Sequence, residues 1–104
     1  MGCIVIAVFH PRPGRERELD ELIRGHLPYL RRLELVTDRA PIAMRSKAGT
    51  IVEVFEWRSE EAVAAAHRHP EVLKLWQRFD EVCTCGKICD LAEAQQMFPH
   101  FEPL

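Results

Sequence analysis

The feature that most constrains the fold of this chain is an uninterrupted apolar run, Cys3–Phe9, near its beginning. The run has the length of a strand and is rich in β-branched residues, and a strand without polar positions is buried on both faces. Alternation along the strand gives it two apolar faces, one made of Cys3, Val5, Ala7 and Phe9 and the other of Ile4, Ile6 and Val8. The fold must therefore provide a cover for each face.

A helix and a hairpin are predicted to follow this strand. Apolar residues recur at steps of three and four in the helical segment, where Pro28 predicts a kink or a break. Val36–Arg45 predicts a strand that Pro41 confines to the edge of a sheet. The turn Ser46–Gly49 then leads into Thr50–Arg58, the clearest strand of the chain. The stripe of the helix consists of Leu19, Leu22, Ile23, Leu27, Leu30 and Leu33.

The second half of the chain begins with a helix that Ser59 is suited to cap. This helix is predicted to be interrupted at His67–His69 and to restart at Pro70, a residue type that is common at the first helical position. Cys83–Cys89 is compatible with either a helix end or a last strand. Asp90–Glu93 has the spacing of a capping box, which predicts one or two further helical turns before an extended tail.

The predicted order of elements is strand, helix, strand, strand, helix, strand within a single domain spanning residues 1–104. This order indicates the α+β class and a ferredoxin-like βαββαβ fold, in which a four-stranded antiparallel sheet carries both helices on one face. The sheet order 4-1-3-2 places the two most apolar strands, the first and the third, in the centre. Residues 91–104 are expected to add a short helix and an extended tail at the C-terminal end.

Two helices cover only one face of such a sheet, so the second apolar face of Cys3–Phe9 needs another cover. We expect a homodimer in which the sheet faces of two copies meet, with Phe98 and Phe101 of the tail lying on the partner surface. The alternative is that the C-terminal turns fold back over the second face of a monomer.

Charge and composition restrict the partners of this chain. Its formal net charge is −2, and acidic residues are interleaved with the basic ones, so neither a nucleic acid nor an anionic membrane is an expected partner. The apolar run is too short to span a bilayer and lacks the charged start and the cleavage site of a secretory signal. We therefore expect a cytoplasmic protein whose four cysteines are reduced thiols.

Several short segments of the chain resemble one protein family. They are Pro13-Gly14 before the first helix, Val52-Glu-Val-Phe-Glu-Trp57, Ser59-Glu-Glu-Ala62, Ala66-His67, and Pro70 followed by Leu75-Trp76. Over about residues 3–90, this pattern resembles the dimeric α/β-barrel superfamily, and within it the antibiotic-biosynthesis-monooxygenase-like (ABM) proteins. The resemblance implies a sheet-to-sheet homodimer, a dimeric α/β barrel, with one pocket per subunit between the sheet and the helices. Some members oxygenate electron-rich aromatic compounds without metal or flavin, others degrade haem, and many have no known activity.

One departure from the family pattern concerns asparagine, which this chain lacks entirely. Monooxygenases and haem-degrading members of the superfamily often use an asparagine together with a tryptophan and a histidine to polarise the substrate. Their usual set of residues is therefore incomplete in this chain.

Glu53 and His67 are the candidate catalytic residues. Glu53 shares a strand face with Phe55 and Trp57, where a carboxylate is costly unless it is paired or used, so it is a candidate base. The alternatives for Glu53 are an ion pair with Arg45 or another arginine, or exposure at the end of the barrel. His67 lies at the break in the second helix and is a candidate base or hydrogen-bond donor for a phenolic substrate, with partly buried packing as the alternative.

Phe55, Trp57 and Trp76 are candidate aromatic walls of a substrate pocket, although such residues are often only part of a core. His69 is a further pocket candidate, with capping of the following helix as the alternative. The motif Cys83-x-Cys85-x3-Cys89 would place three thiols on one face of a strand. Its first spacing differs from the Cys-x2-Cys of structural zinc sites, and a fourth ligand is missing, so no metal is expected.

The sequence therefore favours a cofactor-independent monooxygenase-like enzyme that acts on a small apolar or aromatic molecule, with Glu53 and His67 as its polar pair. The first alternative is a non-catalytic small-molecule-binding or stress-response dimer of the same fold. The second alternative is a metal-binding thiol protein.

Overall fold

A computed structural model describes all 104 residues, and it consists of an antiparallel sheet with three α-helices packed on one of its faces. Two single turns of 3-10 helix, Ile88–Asp90 and Ala92–Gln95, follow the fourth strand. The strands are β1 (Cys3–Pro11), β2 (Ile42–Arg45), β3 (Ile51–Trp57), β4 (Cys83–Gly86) and β5 (Glu102–Pro103). The helices are α1 (Glu16–Arg32), α2 (Glu60–Ala66) and α3 (Pro70–Val82).

The order of strands in the sheet is β4-β1-β3-β2-β5, and every neighbouring pair is antiparallel. The predicted neighbours of the two central strands, β1 and β3, are therefore present, and the molecule is consistent with a ferredoxin-like α+β fold. The prediction of four strands with β2 at the edge is wrong, because the tail returns as β5 and pairs Pro103 with Met44. Pro41 lies just before β2 and not within it, so β2 retains the backbone N–H groups that both of its neighbours require.

The first helix is continuous in spite of Pro28, so the predicted break at this residue does not occur. A proline inside a helix removes one backbone hydrogen bond, but Leu27 and Leu30 on either side of it are buried against the sheet. Burial of these side chains holds the helix together across the missing bond. None of the helices has the length and the apolar content that crossing a bilayer requires.

The second half of the chain contains two capped helices. Ser59 Oγ accepts a hydrogen bond from the backbone N–H of Ala62 at 3.1 Å, which confirms the predicted cap of α2. His69 Nδ1 accepts one from the backbone N–H of Glu71 at 3.2 Å and caps α3, whose first residue is Pro70. Each cap satisfies a donor that the first turn of a helix would otherwise leave free.

The segment after α3 forms the short strand β4, which pairs with the end of β1. A last strand is one of the two alternatives predicted for this segment, and its place beside β1 is the one that the predicted sheet order gives it. The capping box predicted at Asp90–Glu93 is not formed, because Asp90 Oδ2 accepts the backbone N–H of Lys87 at 2.9 Å and closes the preceding turn instead. The buried Glu93 anchors the second 3-10 turn by accepting the backbone N–H of Lys47 at 3.0 Å.

The helix-facing side of the sheet carries the main core, where Phe9, Ile51, Phe55 and Trp57 pack against the helices. The opposite face is covered in part by the chain's own C-terminal segment. Val8 and Val52 are buried under Leu91, with Phe101 packed against the same cluster. The tail therefore folds back over about half of the second face. The monomeric alternative predicts that the C-terminal turns cover the whole of this face.

The other half of the second face is open. Ile6, Val54 and Ile42 are direct neighbours across β1, β3 and β2, and they form an apolar row. The two isoleucines of this row are 54 % and 61 % exposed, and the adjacent Ile4 is exposed as well. We call Ile4, Ile6, Ile42 and Val54 the open sheet patch.

Candidate functional site

A cavity of about 350 Å³ lies between the sheet and the helices. Its walls come from β1, β3 and β4 on the sheet side and from α1 and α3 on the helix side. Most of the wall is apolar or aromatic, and a cavity of this size admits a small organic molecule. The lining residues are Val5, Ala7, Phe9, His26, Phe55, Trp57, Trp76, Phe79, Asp80 and Cys85.

A histidine and a glutamate form a buried pair at this cavity. His26 comes from α1 and Glu53 from β3, and their side chains are only 5 % and 1 % exposed. His26 Nδ1 lies 2.7 Å from Glu53 Oε1. Burial of a carboxylate costs free energy unless the group is paired, and a short charge-assisted hydrogen bond offsets that cost. The pair therefore explains how β3 accommodates a glutamate on its most buried face.

The hydrogen bond gives different roles to the two nitrogens of the His26 ring. A carboxylate only accepts hydrogen bonds, so Nδ1–H donates to Glu53 Oε1. In the neutral ring, Nε2 is then an acceptor with a free lone pair. This atom makes no hydrogen bond to another protein group, and His26 lines the cavity. Nε2 is therefore the nitrogen that a molecule in the cavity can contact.

Three aromatic rings hold the imidazole of His26 in place. The ring centroids lie 6.5 Å from Phe9, 5.4 Å from Phe55 and 5.1 Å from Phe79, and each pair is arranged edge to face. This arrangement is the one that the charge distribution of aromatic rings favours. The imidazole is therefore a fixed polar group within an otherwise apolar wall.

Sequence reasoning missed His26. It lies four residues after Leu22 and four before Leu30, so it belongs to the apolar stripe of α1. A polar residue in such a stripe faces the core, and a glutamate on the buried face of β3 needs a partner there. The two signals taken together make His26 a candidate partner of Glu53, but they do not select it over His67 or Arg45.

His67 does not reach Glu53, so the predicted pair of Glu53 and His67 is not formed. The ring of His67 is exposed, and its Nδ1 lies 2.9 Å from the carbonyl oxygen of Val63, one turn earlier in the chain. The ring packs edge-on against Trp76, with 5.0 Å between centroids. His67 therefore touches a residue of the cavity wall but does not line the cavity.

The structure places some of the other predicted site residues at the cavity and others away from it. Phe55, Trp57 and Trp76 line the cavity, whereas His69 caps α3 and does not line it. The ion pair considered for Glu53 is not formed, because Arg45 Nη2 lies 3.0 Å from Asp20 Oδ2 of α1. Glu53 itself does not line the cavity but is hydrogen-bonded to His26, which does.

Asp80 and Cys85 are the remaining lining residues that carry polar or reactive atoms. Burial raises the pKa of the Cys85 thiol, and the negative charge of Asp80 raises it further. Burial likewise raises the pKa of Cys83 to about 11, and this thiol donates a hydrogen bond to the carbonyl oxygen of Phe79 at 3.1 Å. Both thiols are therefore protonated at neutral pH.

The three thiols of the cysteine motif do not share one face, because β4 ends at Gly86. Cys83 is buried, Cys85 borders the cavity, and Cys89 is exposed in the first 3-10 turn. The structure contains no group of three or more histidine, cysteine or carboxylate side chains arranged to hold a metal ion.

The site thus combines an aromatic cavity, a buried histidine that lines it and is hydrogen-bonded to a glutamate outside it, and the exposed carboxylate of Asp80. Comparison of this chain with protein-family models, with curated proteins and with solved structures finds no match.

Proposed function

We propose that the protein is an enzyme that binds a small phenol, or a similarly acidic aromatic molecule, in this cavity and removes its proton with His26. The observation that carries the proposal is the 2.7 Å contact between His26 Nδ1 and the buried Glu53, which leaves Nε2 as an acceptor in an aromatic cavity. A histidine held by a carboxylate through one nitrogen can act as a general base through the other. His26 replaces His67 as the proposed partner of Glu53.

The proton transfer follows from the roles of the two nitrogens. The phenol O–H donates to Nε2, the proton moves to this atom, and the ring becomes an imidazolium. The Glu53 carboxylate stabilises the positive charge through Nδ1–H without taking the proton itself. The substrate ring packs against Phe55, Trp57 and Trp76, and these contacts favour an aromatic body over a polar one.

Cofactor-independent oxygenation is the reaction that we propose for the resulting phenolate. One molecule of dioxygen is consumed: a ring C–H becomes a second C=O, the phenol becomes a quinone, and the other oxygen atom leaves as water. Atoms and electrons balance as phenol plus dioxygen giving quinone plus water, with dioxygen as the four-electron oxidant. The resemblance to the ABM-like proteins is the reason for choosing oxygenation among the reactions open to a phenolate.

Dioxygen consumption with 1-naphthol tests this function. The wild type is expected to consume dioxygen and to form naphthoquinone in equal amounts. His26→Gln keeps an N–H donor for Glu53 but removes the base, so it is expected to lower turnover by about 100-fold, the lower range of general-base effects. His67→Gln is the matched control and is expected to keep turnover within about threefold of the wild type, since a group outside the cavity contributes no proton transfer.

Two outcomes would contradict this function. Saturable binding of 1-naphthol without dioxygen consumption would support the second candidate, a non-catalytic small-molecule-binding or stress-response protein, which the absence of asparagine favours. Equal turnover in the wild type and in a folded His26→Gln variant would remove His26 from the chemistry. A thermal unfolding curve of the variant shows whether it is folded.

We also propose that the chain forms a homodimer through the open sheet patch, which would give a dimeric α/β barrel. An aligned row of exposed apolar side chains in the middle of a sheet is an unfavourable monomer surface. A twofold axis brings the same patch of a second copy against it, so that one row covers the other. Sedimentation at micromolar concentration tests this assembly, and a stable monomer would refute it.

A further inference from the structure

A carboxylate, Asp80, borders the cavity beside its aromatic wall. It follows Phe79 directly and lies one helical turn after Trp76 on α3, and all three residues line the cavity. Asp80 is the only carboxylate in the lining, and apart from His26 the other lining residues are apolar or aromatic side chains and a protonated thiol. Because His26 is buried and Asp80 is exposed, a molecule that fills the cavity meets an imidazole at its buried end and a carboxylate at its exposed end.

The carboxylate of Asp80 has no partner within the protein, since it takes part in no ion pair and no hydrogen bond. Arg12 contacts this residue only through its main chain, donating from Nε and Nη2 to the Asp80 carbonyl oxygen at 3.0 and 2.8 Å. The charge of the carboxylate nevertheless affects the cavity, because it is one cause of the raised pKa of Cys85 on the neighbouring strand. An unpaired negative charge therefore borders an otherwise apolar cavity.

We propose that Asp80 binds a protonated amine, and that the substrates are small phenols that carry an alkylammonium group at the end opposite the hydroxyl. The inference deepens the proposed function and rests on it, because the hydroxyl is assigned to His26. Two interactions favour an ammonium at this place: attraction to the carboxylate, and attraction to the faces of aromatic rings such as those of Trp76 and Phe79. An anionic group at the same place is repelled, which discriminates against aromatic acids.

Three ligands with a common 4-hydroxyphenyl body test this proposal. Tyramine is cationic, 4-ethylphenol is neutral, and 3-(4-hydroxyphenyl)propionate is anionic. Isothermal titration of the wild type is expected to show that tyramine binds about three- to tenfold more tightly than 4-ethylphenol, the range for a partly exposed ion pair with an aromatic neighbour. The propionate is expected to bind most weakly, and high salt is expected to reduce both differences.

Variants of Asp80 test the effect of its charge on ligand binding while the rest of the cavity lining stays the same. Asp80→Asn is expected to lose most of the preference for tyramine over 4-ethylphenol, because only the attraction to the aromatic rings remains, and to leave the affinity for 4-ethylphenol unchanged from the wild type. Asp80→Lys is expected to reverse the order, with the propionate as the preferred ligand. Glu81→Gln removes the adjacent carboxylate, which does not line the cavity, and is expected to keep the preference for tyramine.

The location of the bound amine is tested by thiol protection. Tyramine is expected to slow the reaction of Cys85 with N-ethylmaleimide and to leave that of Cys89 unchanged, since only Cys85 borders the cavity. Trypsin cleavage after Lys87 places Cys85 and Cys89 on different peptides, and fragmentation of the first peptide in the mass spectrometer distinguishes Cys85 from Cys83.

Failure of this proposal is distinguishable from failure of the proposed function. If 4-ethylphenol and tyramine bind the wild type equally, or if the preference for tyramine is undiminished in Asp80→Asn, the amine site is refuted while the phenol site stands. If none of the three phenols binds, the phenol site is refuted together with the amine site.

Discussion

At the scale of the residue, the contact between His26 and Glu53 has a structural role, and we propose that it has a chemical role as well. The hydrogen bond that offsets the burial of the carboxylate also orients the imidazole toward the cavity. Removal of one partner from a buried pair leaves the other without compensation and costs about 3–5 kcal/mol. Truncation to alanine would therefore lower activity through unfolding as well as through chemistry.

Apolar replacements of His26 and Glu53 are expected to measure the structural role of the pair separately from any chemistry. His26→Leu and Glu53→Leu are each expected to lower the free energy of unfolding by about 3 kcal/mol, because each leaves a buried polar partner alone. The double variant is expected to recover most of this loss, since it leaves neither group unpaired. Urea unfolding of the four proteins measures the effect, and additive losses in the double variant would contradict a direct pairing.

Cys83 is expected to make stability depend on pH in the alkaline range. Burial raises its pKa to about 11 in the folded protein, whereas an unfolded thiol ionises at about 8.5. Because the pKa is higher in the folded state, the protonated thiol makes its full contribution to stability below about pH 8.5. This contribution is lost as the pH rises through the folded value. The free energy of unfolding is therefore expected to fall by up to about 3 kcal/mol between these values.

Urea unfolding at several pH values measures this dependence. Cys83→Ala is expected to reduce it. A remainder is expected from Cys85 and Tyr29, whose pKa values are also raised, by burial and by the hydrogen bond to Glu71 respectively. Cys89→Ala is the control, since Cys89 is exposed and its removal is expected to change nothing. Equal slopes for the wild type and Cys83→Ala would show that another group is responsible.

At the scale of the element, local sequence patterns predict the central strands, the hairpin and the helix starts. Ser59 and Gly49 illustrate why: a cap and a turn with positive φ are formed by residues within four positions of one another. The strand β5 has no such local signal, because its two residues, Glu102 and Pro103, become a strand only by pairing with β2. Elements that depend on a distant partner are the ones that periodicity cannot identify.

The C-terminal segment is expected to contribute to stability through Leu91. This residue buries Val8 and Val52 on the second sheet face, so Leu91→Ala is expected to lower the free energy of unfolding by about 2–3 kcal/mol. Leu73→Ala, at a half-exposed position on α3, is the control and is expected to cost about 1 kcal/mol or less. Urea unfolding compares the two, and a smaller loss for Leu91→Ala than for Leu73→Ala would show that the segment is not packed against the sheet.

At the scale of the whole molecule, the two faces of the sheet are covered in different ways. The helices cover one face completely enough to form the main core and the cavity, while the tail covers only half of the other. The open sheet patch that remains is the surface through which we propose dimerisation, and a charge placed in it would have to be buried in the dimer.

Ile6→Lys is accordingly expected to produce a monomer at concentrations where the wild type is dimeric, because the added charge lies within the open sheet patch, directly beside Val54. Leu73→Lys adds the same charge to an exposed apolar position on α3 and is expected to leave the dimer intact. Sedimentation velocity measures both. A wild-type dimer that Ile6→Lys does not weaken would place the interface elsewhere on the molecule.

The sequence by itself determined the class of the fold, the strand that needs cover on both faces, and the aromatic character of β3 and α3. These properties depend on the period and the composition of contiguous residues, which are visible without a partner. Only the tertiary structure decided that the glutamate of β3 meets His26 rather than His67 or Arg45, and that the tail covers half of the second face. Such pairings join residues that are distant in sequence, as with His26 and Glu53, and depend on how helix and sheet faces are rotated against one another. The two-sided apolar strand therefore indicated that a second cover was needed, and the packing of the tail showed how much of that cover the chain supplies itself.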